Sequence, residues 1–286
     1  MTLTPPRQAG DAWEFEAPHG DRLRLVPERG GLVTGWRCRG PWGEREVLYF
    51  DAERFADPTK SVRGGIPVLF PICGSLPGSA LPQHGFARDL PWQVCALPDA
   101  TGVRLTLTDT PATLALFPHP FRLELELRLE PQALAIRARV SHPGGSGEEP
   151  LPFSLGLHPY FGVANLEAVS LRGLPPEAIN QAAGGPAATA DLLNSLPLGV
   201  DLLAGPTQAV RLEAGDIAIT LETQAPLDLA VVWTDPPRPM VCLEPWTAPR
   251  GALASGERRL QVQPGESSIP AWLDAPSRPV IEAIKR

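Results

Sequence analysis

The chain has 286 residues, 43% of them hydrophobic and 20% charged, a composition that supplies a real core and excludes disorder of the whole. A formal net charge of -7, with no run of Lys or Arg to follow a phosphate backbone, argues against nucleic acid as a partner. The 35 prolines and 27 glycines interrupt the chain too often for long helices, which leaves strands and turns.

The start, MTLTPPRQAGDAWEFEAPHGD, has prolines and charges where an export signal needs an apolar stretch. No segment reaches the roughly 18 apolar residues of a membrane span. The expectation is a cytoplasmic protein without membrane attachment. Cys38, Cys73, Cys95 and Cys242 stand far apart in no metal-ligand spacing, which suggests reduced, mostly buried thiols.

Short strand-like pieces come first, at WEFEA, DRLRLVP, GGLVTGWRC and EREVLYF, with Leu23, Leu25 and Pro27 sharing one face of the second. From Asp51 to Leu90 the pattern gives way to a long, loop-rich insert. Its many large apolar residues argue against disorder, so it is a candidate site region. The clearest periodicity follows. Phe121, Leu123, Leu125, Leu127 and Leu129 alternate with Arg122, Glu124, Glu126, Arg128 and Glu130, a strand with one wet face. Leu134, Ile136, Ala138 and Val140 repeat it after Pro131 and Gln132, so the two runs form a hairpin. GVRLTLTDT and AVRLEAGDIAITLETQAPLDLAVVWT add strands, and RRLQVQPGESSIPAWLDA a last strand and turn. The best helix signals, both short, are PPEAINQAAGG and the terminal PSRPVIEAIKR; Ala178–Ala190 reads as a mobile, Ala- and Gly-rich loop. No GxGxxG or GxxxxGK(S/T) follows a strand, so neither a dinucleotide nor a P-loop site is expected. About fifteen short strands without a compositional break predict an all-β fold, one large antiparallel β-sandwich domain over residues 1–286.

Of five histidines, His19, His119 and His142 lie in polar or proline-flanked turns and read as solvated or structural. His84 in QHGFAR and His158 in LHPYF sit among apolar residues and glycine, where a neutral imidazole can both donate and accept. A core histidine with both nitrogens satisfied is the competing account of either. Glu244 follows an apolar strand and is backed by Pro245 and Trp246, so burial should raise its pKa toward use as a base; the alternative is a strand-end glutamate facing water. Arg63 in RGGIP and Arg88 in HGFARDLPW offer planar donors to phosphate or vicinal hydroxyls, against an internal ion pair such as Arg88 with Asp89. Asp201, a lone acid in PLGVDLLAG, is a candidate acceptor for a sugar.

RGGIPVLFP, HGFARDLPW, LHPYF and LEPW, in this order on such a chain, resemble the galactose mutarotase superfamily. The closer likeness is to its aldose 1-epimerase members of the hexose-6-phosphate mutarotase branch, over roughly Gly30 to Ala271. The resemblance implies a supersandwich that interconverts the anomers of a hexose or hexose phosphate with no metal and no cofactor. It implies that His158 is the general acid and Glu244 the general base, and that His84, Arg63, Arg88 and Asp201 bind the sugar or its phosphate. One departure concerns the RGGIP segment, which in the family often continues with a Trp or Phe pair and here reads LFPICGSLPG. That puts the pocket wall, and with it sugar preference, in question. A non-catalytic carbohydrate-binding module on the same sandwich is the rival reading, since fold does not determine function.

Overall fold

Residues 7–9, 11–40, 43–98, 101–145, 147–215, 217–268 and 280–285 are described by a computed structural model of the chain. Period-two alternation dominates it, and three sheets carry the architecture. A five-stranded meander runs from Arg7–Ala9 to Gly43–Glu46. A nine-stranded sheet is centred on the hairpin Arg122–Glu130 and Ala133–Ser141. An eight-stranded sheet has Asp201–Ala204, Leu229–Trp233 and Met240–Trp246 as successive neighbours. Every pairing between strands of these sheets is antiparallel. The fold is the large antiparallel β-sandwich that the alternation predicted.

The hairpin behaves as its sequence reads. Phe121, Leu123, Leu125, Leu127 and Leu129 are buried, as are Leu134, Ile136, Ala138 and Val140. Arg122 is exposed, and the acids and Arg128 on its face are half-buried. Asp21, fully buried, accepts from the Arg39 backbone N–H on one oxygen and the Gln132 N–H on the other. One carboxylate thus ties the N-terminal meander to the hairpin turn.

Both short helix expectations are overturned. Glu177–Asn180 is a strand pairing with Pro186–Ala188 and with Asp201–Ala204, so the stretch read as a mobile loop is an ordered hairpin on the sheet edge. Val280–Lys285 is a strand between Ala133–Ser141 and Ile217–Glu222 and pairs with both. Segments of this length gain too little from helix formation to resist a sheet that offers partners on one or both sides. The last turn read from RRLQVQPGESSIPAWLDA falls partly on residues 269–279, outside the described residues; its described part holds strands at Leu260–Val262 and Ser267–Ser268. Among the described residues, helices have at most six residues, and none is long and apolar enough to cross a membrane. Cys38, Cys73 and Cys242 are buried free thiols, and Cys95 is an exposed one.

The eight-stranded sheet places the site. One set of alternate residues, Leu202, Ala204, Ala230, Val232, Val241 and Leu243, joins the main core. The other set points away from that core, and two small apolar clusters form on this side. Leu69, Cys73, Leu229, Val231 and Trp246 make one; Tyr160, Met240 and Cys242 make the other.

Candidate active site

The pocket opens on this second face. Register explains why its two central groups meet. Gly156 pairs with Trp246 and Tyr160 with Cys242, so His158 lies directly opposite Glu244 on the neighbouring strand. Cross-strand residues in register share a face with their Cβ atoms about 5 Å apart. His158 Nε2 accordingly stands 3.3 Å from Glu244 Oε1. Pro159 interrupts strand pairing at this point, and the segment is held from its other side, where the His158 N–H donates to Pro67 and the Tyr160 N–H to Gly65. The His158 ring stacks on Tyr160, with centroids 4.7 Å apart and planes 9° apart.

Glu244 is 1% exposed, which removes the reading of a strand-end acid in water. Its Oε2 accepts a hydrogen bond of 3.0 Å from the Trp246 indole N–H, two residues along the same face. Burial holds the Glu244 carboxyl well above the usual carboxylate range, only partly offset by that indole. Burial also holds His158 well below the usual imidazole range, helped by His84, Arg88 and Arg63 nearby. Two facing groups pushed in these directions titrate as a pair that carries one proton across a wide pH range.

His84 comes from the loop-rich insert, which folds over this face. It occupies a left-handed backbone conformation (φ 66°), and its own N–H donates to the Gly74 carbonyl at 2.7 Å. The next residue must be glycine, because a Cβ on Gly85 would lie 2.1 Å from the Phe70 carbonyl oxygen. The Gly74 N–H donates to His84 Nδ1 at 3.0 Å. Nδ1 is therefore an acceptor, and the proton of the neutral ring sits on Nε2. Burial and the Arg88, Arg250 and Arg63 charges lower its pKa to about 3, so His84 is a neutral donor at cell pH. Its ring meets those of His158 and Trp246 edge-on, with centroids 5.6 and 5.7 Å away.

The remaining residues expected from sequence line the same pocket. Arg63 lies over the Trp233 ring at 5.4 Å, with Nε 3.4 Å from Asp235. Arg88 donates to the Gln83 carbonyl at 2.9 Å and approaches Asp89 at 3.7 Å, so pocket wall and ion pair are both true of it. Asp201 is not the free acceptor its sequence suggested: Oδ1 accepts from Gln181 Nε2 and Oδ2 from Arg250, each at 2.8 Å. Arg250, Tyr160 and Trp233 also line the pocket and were not singled out from sequence. Counting by two from His158 reaches Tyr160, and the same step along AVVW reaches Trp233. Arg250 lies in the same proline-rich island as Glu244. His142, read as solvated or structural, is 1% exposed; its Nδ1 accepts from the Gly144 N–H and its Nε2 lies 3.0 Å from the Glu149 carbonyl.

Three donor atoms that a metal could use, on His158, Cys242 and Glu244, lie within 4.8 Å of one another. Burial and the adjacent Glu244 push the Cys242 thiol well above its ordinary pKa. The described arrangement suits proton exchange: an acid and a base face to face, a neutral donor beside them, and guanidinium groups around the rim.

A family model described as aldose 1-epimerase matches residues 16–269. A Cenchrus ciliaris protein named "Putative glucose-6-phosphate 1-epimerase" is 31% identical over 154 residues, covering 51% of this chain and 45% of that protein. The chain spans about half the length of the curated relatives it matches. A protein of known crystal structure from Synechocystis sp. PCC 6803 is 34% identical, covers 100% of this chain and 99% of its own, and superposes with a TM-score of 0.86. A galactose mutarotase-like protein from Lactobacillus casei ATCC 334 shares the fold at 18% identity and a TM-score of 0.68, covering 96% of this chain and 99% of its own.

Proposed function

The chain belongs to the aldose 1-epimerase family, and from that premise we propose that it is a mutarotase interconverting the α and β anomers of an aldohexose, most fittingly a hexose 6-phosphate. The observation that carries this reading is the His158–Glu244 pair, 3.3 Å apart and buried at the floor of a pocket rimmed by guanidinium groups. On this reading residues 1–286 are one mutarotase domain. Its main core, drawn from Phe15 to Val262, supports that. It would work in the cytoplasm, where buried thiols stay reduced.

Anomer exchange needs a proton taken from the C1 hydroxyl and one delivered to the ring oxygen. The bond from C1 to the ring oxygen then breaks, and the aldehyde turns and recloses on its other face. Glu244 as carboxylate accepts the hydroxyl proton, and protonated His158 supplies the ring oxygen. The reactive form of the pair is imidazolium and carboxylate, reached when the shared proton crosses from Glu244 to His158 over their 3.3 Å contact, and the step ends as imidazole and carboxylic acid, with one proton and no net charge in every state. A dry pocket penalises a change in net charge heavily, and this exchange makes none. Ring closure runs the same transfers backwards. Positioned acids and bases each contribute typically about 10² to 10⁴ in rate, so two suffice for a reaction without redox chemistry. His84, fixed as a neutral Nε2–H donor, would hold a sugar oxygen without competing for the transferred protons. Arg63 and Arg88 would meet the 6-phosphate, whose charge suits planar guanidinium donors better than a neutral sugar does.

The test is magnetisation exchange by NMR between the anomers of glucose 6-phosphate, glucose and galactose, with and without protein. The expected result is acceleration of all or some, greatest for the phosphate ester, and lost in His158→Ala. A wild-type protein that accelerates none of them overturns the enzymatic reading.

A further inference from the structure

The rim holds one more cation than the assigned roles use, and that cation is held differently. Arg63 rests on Trp233 beside Asp235, and Arg88 donates to a backbone carbonyl; neither contacts the pocket's carboxylates. Arg250 instead donates to Asp201 Oδ2 at 2.8 Å from a side chain 35% exposed. Its stem lies across Gly74, where a Cβ would come within 2.2 Å of Arg250 Cγ. Asp201 is the fixed member of the pair. Its backbone is in register with Trp233, and Gln181 holds Oδ1 at 2.8 Å. Asp201 Oδ2, an acceptor on the pocket wall, is thus engaged by a cation on a long, partly exposed stem.

We propose that Arg250 is a specificity-determining residue that exchanges one anion for another. A substrate phosphate takes up the Arg250 donors and releases Asp201 Oδ2 to accept a sugar hydroxyl, which couples recognition of the two ends of a hexose phosphate. A phosphate dianion is a stronger partner for guanidinium than a single carboxylate and can take two of its N–H groups at once. Asp201 stays in place when released, because Gln181 and the strand pairing hold it. A free hexose offers Arg250 no alternative and must compete with it for the carboxylate. The inference rests on the hexose phosphate reading above.

Calorimetric titration with inorganic phosphate and NMR exchange with glucose 6-phosphate and glucose test it, using Arg250→Met, Arg250→Lys and Asp201→Asn. Arg250→Met should weaken inorganic phosphate by about tenfold or more. It should also raise KM for glucose 6-phosphate while leaving that for glucose unchanged or lower, because Asp201 Oδ2 is then free of its rival, and Arg250→Lys should recover part of both losses. Asp201→Asn should tighten inorganic phosphate, since the anion no longer has a rival, while it raises KM for glucose. Equal factors on the two sugars in Arg250→Met would reduce Arg250 to a tether for Asp201 and overturn the proposal. So would phosphate binding that Asp201→Asn leaves unchanged or weaker, or a wild type that binds no phosphate. The titration needs no turnover: a wild type that binds phosphate through Arg250 yet accelerates no sugar would end the mutarotase reading alone. Asp201→Asn keeps size and shape and Arg250→Lys keeps the charge on a flexible stem, so both remain informative if Arg250→Met fails to fold.

Discussion

The two faces of the eight-stranded sheet are made by the same strands and do different work. From Met240 to Trp246, Val241 and Leu243 enter the main core, while Cys242, Glu244 and Trp246 turn to the pocket side. All are buried, so burial alone does not separate them. What differs is the neighbour across the strand. On the core face it is apolar, and Leu243 meets Val232. On the other face Glu244 meets Val231 on one side and His158 on the other. A one-residue step thus separates stability from chemistry, and substitutions on the two faces should have separable effects.

The largest expected effect is on the pocket face. Glu244→Gln keeps the shape and removes the proposed base, so the rate of anomer exchange should fall at least about 10²-fold, with thermal unfolding little changed. Comparable losses of rate and stability would break the division. One residue away, Leu243→Ala should cost about 2–5 kcal/mol of stability, read by denaturant unfolding, while activity per folded molecule stays near wild type.

The pH profile sharpens the comparison further. The proposed mechanism needs one proton on the pair. His158 is held below its usual range by burial and the adjacent cations, so the second proton is added only at pH below the ordinary imidazole value. Glu244 is held above its usual range by burial, so the last proton leaves only above the ordinary carboxylate value. The rate should be bell-shaped, falling on the acid side only well below the ordinary imidazole range and on the alkaline side as the pair loses its last proton. Trp246→Phe gives the smallest effect. It removes the hydrogen bond that lowers the Glu244 pKa, so the alkaline limb should move to higher pH with a plateau change of less than about tenfold. An alkaline limb that stays put or moves down would show that the indole does not tune the carboxyl.

Alternation was legible because it is local. From Phe121 to Val140 the side chain of each residue is assigned to a face by the period-two geometry of a strand, whatever it packs against. The insert from Asp51 to Leu90 was legible as a site for the opposite reason, an irregular stretch too apolar to be solvated. Glu177–Asn180 and Val280–Lys285 were not, since their strand state depends on partners far away in sequence.

The same distinction runs through the site. By itself the sequence determined the candidate residues: His84, His158, Glu244, Arg63, Arg88 and Asp201 were marked by unusual local surroundings, and all line one pocket. Only the tertiary structure decided what each can do. That His158 faces Glu244 follows from strand register, that His84 is a neutral Nε2–H donor follows from the Gly74 N–H, and that Asp201 is engaged follows from Arg250. Hydrogen-bond partners and proton positions depend on groups brought together across 10 residues of chain for Gly74 and His84 and 49 for Asp201 and Arg250, and folding alone makes those contacts.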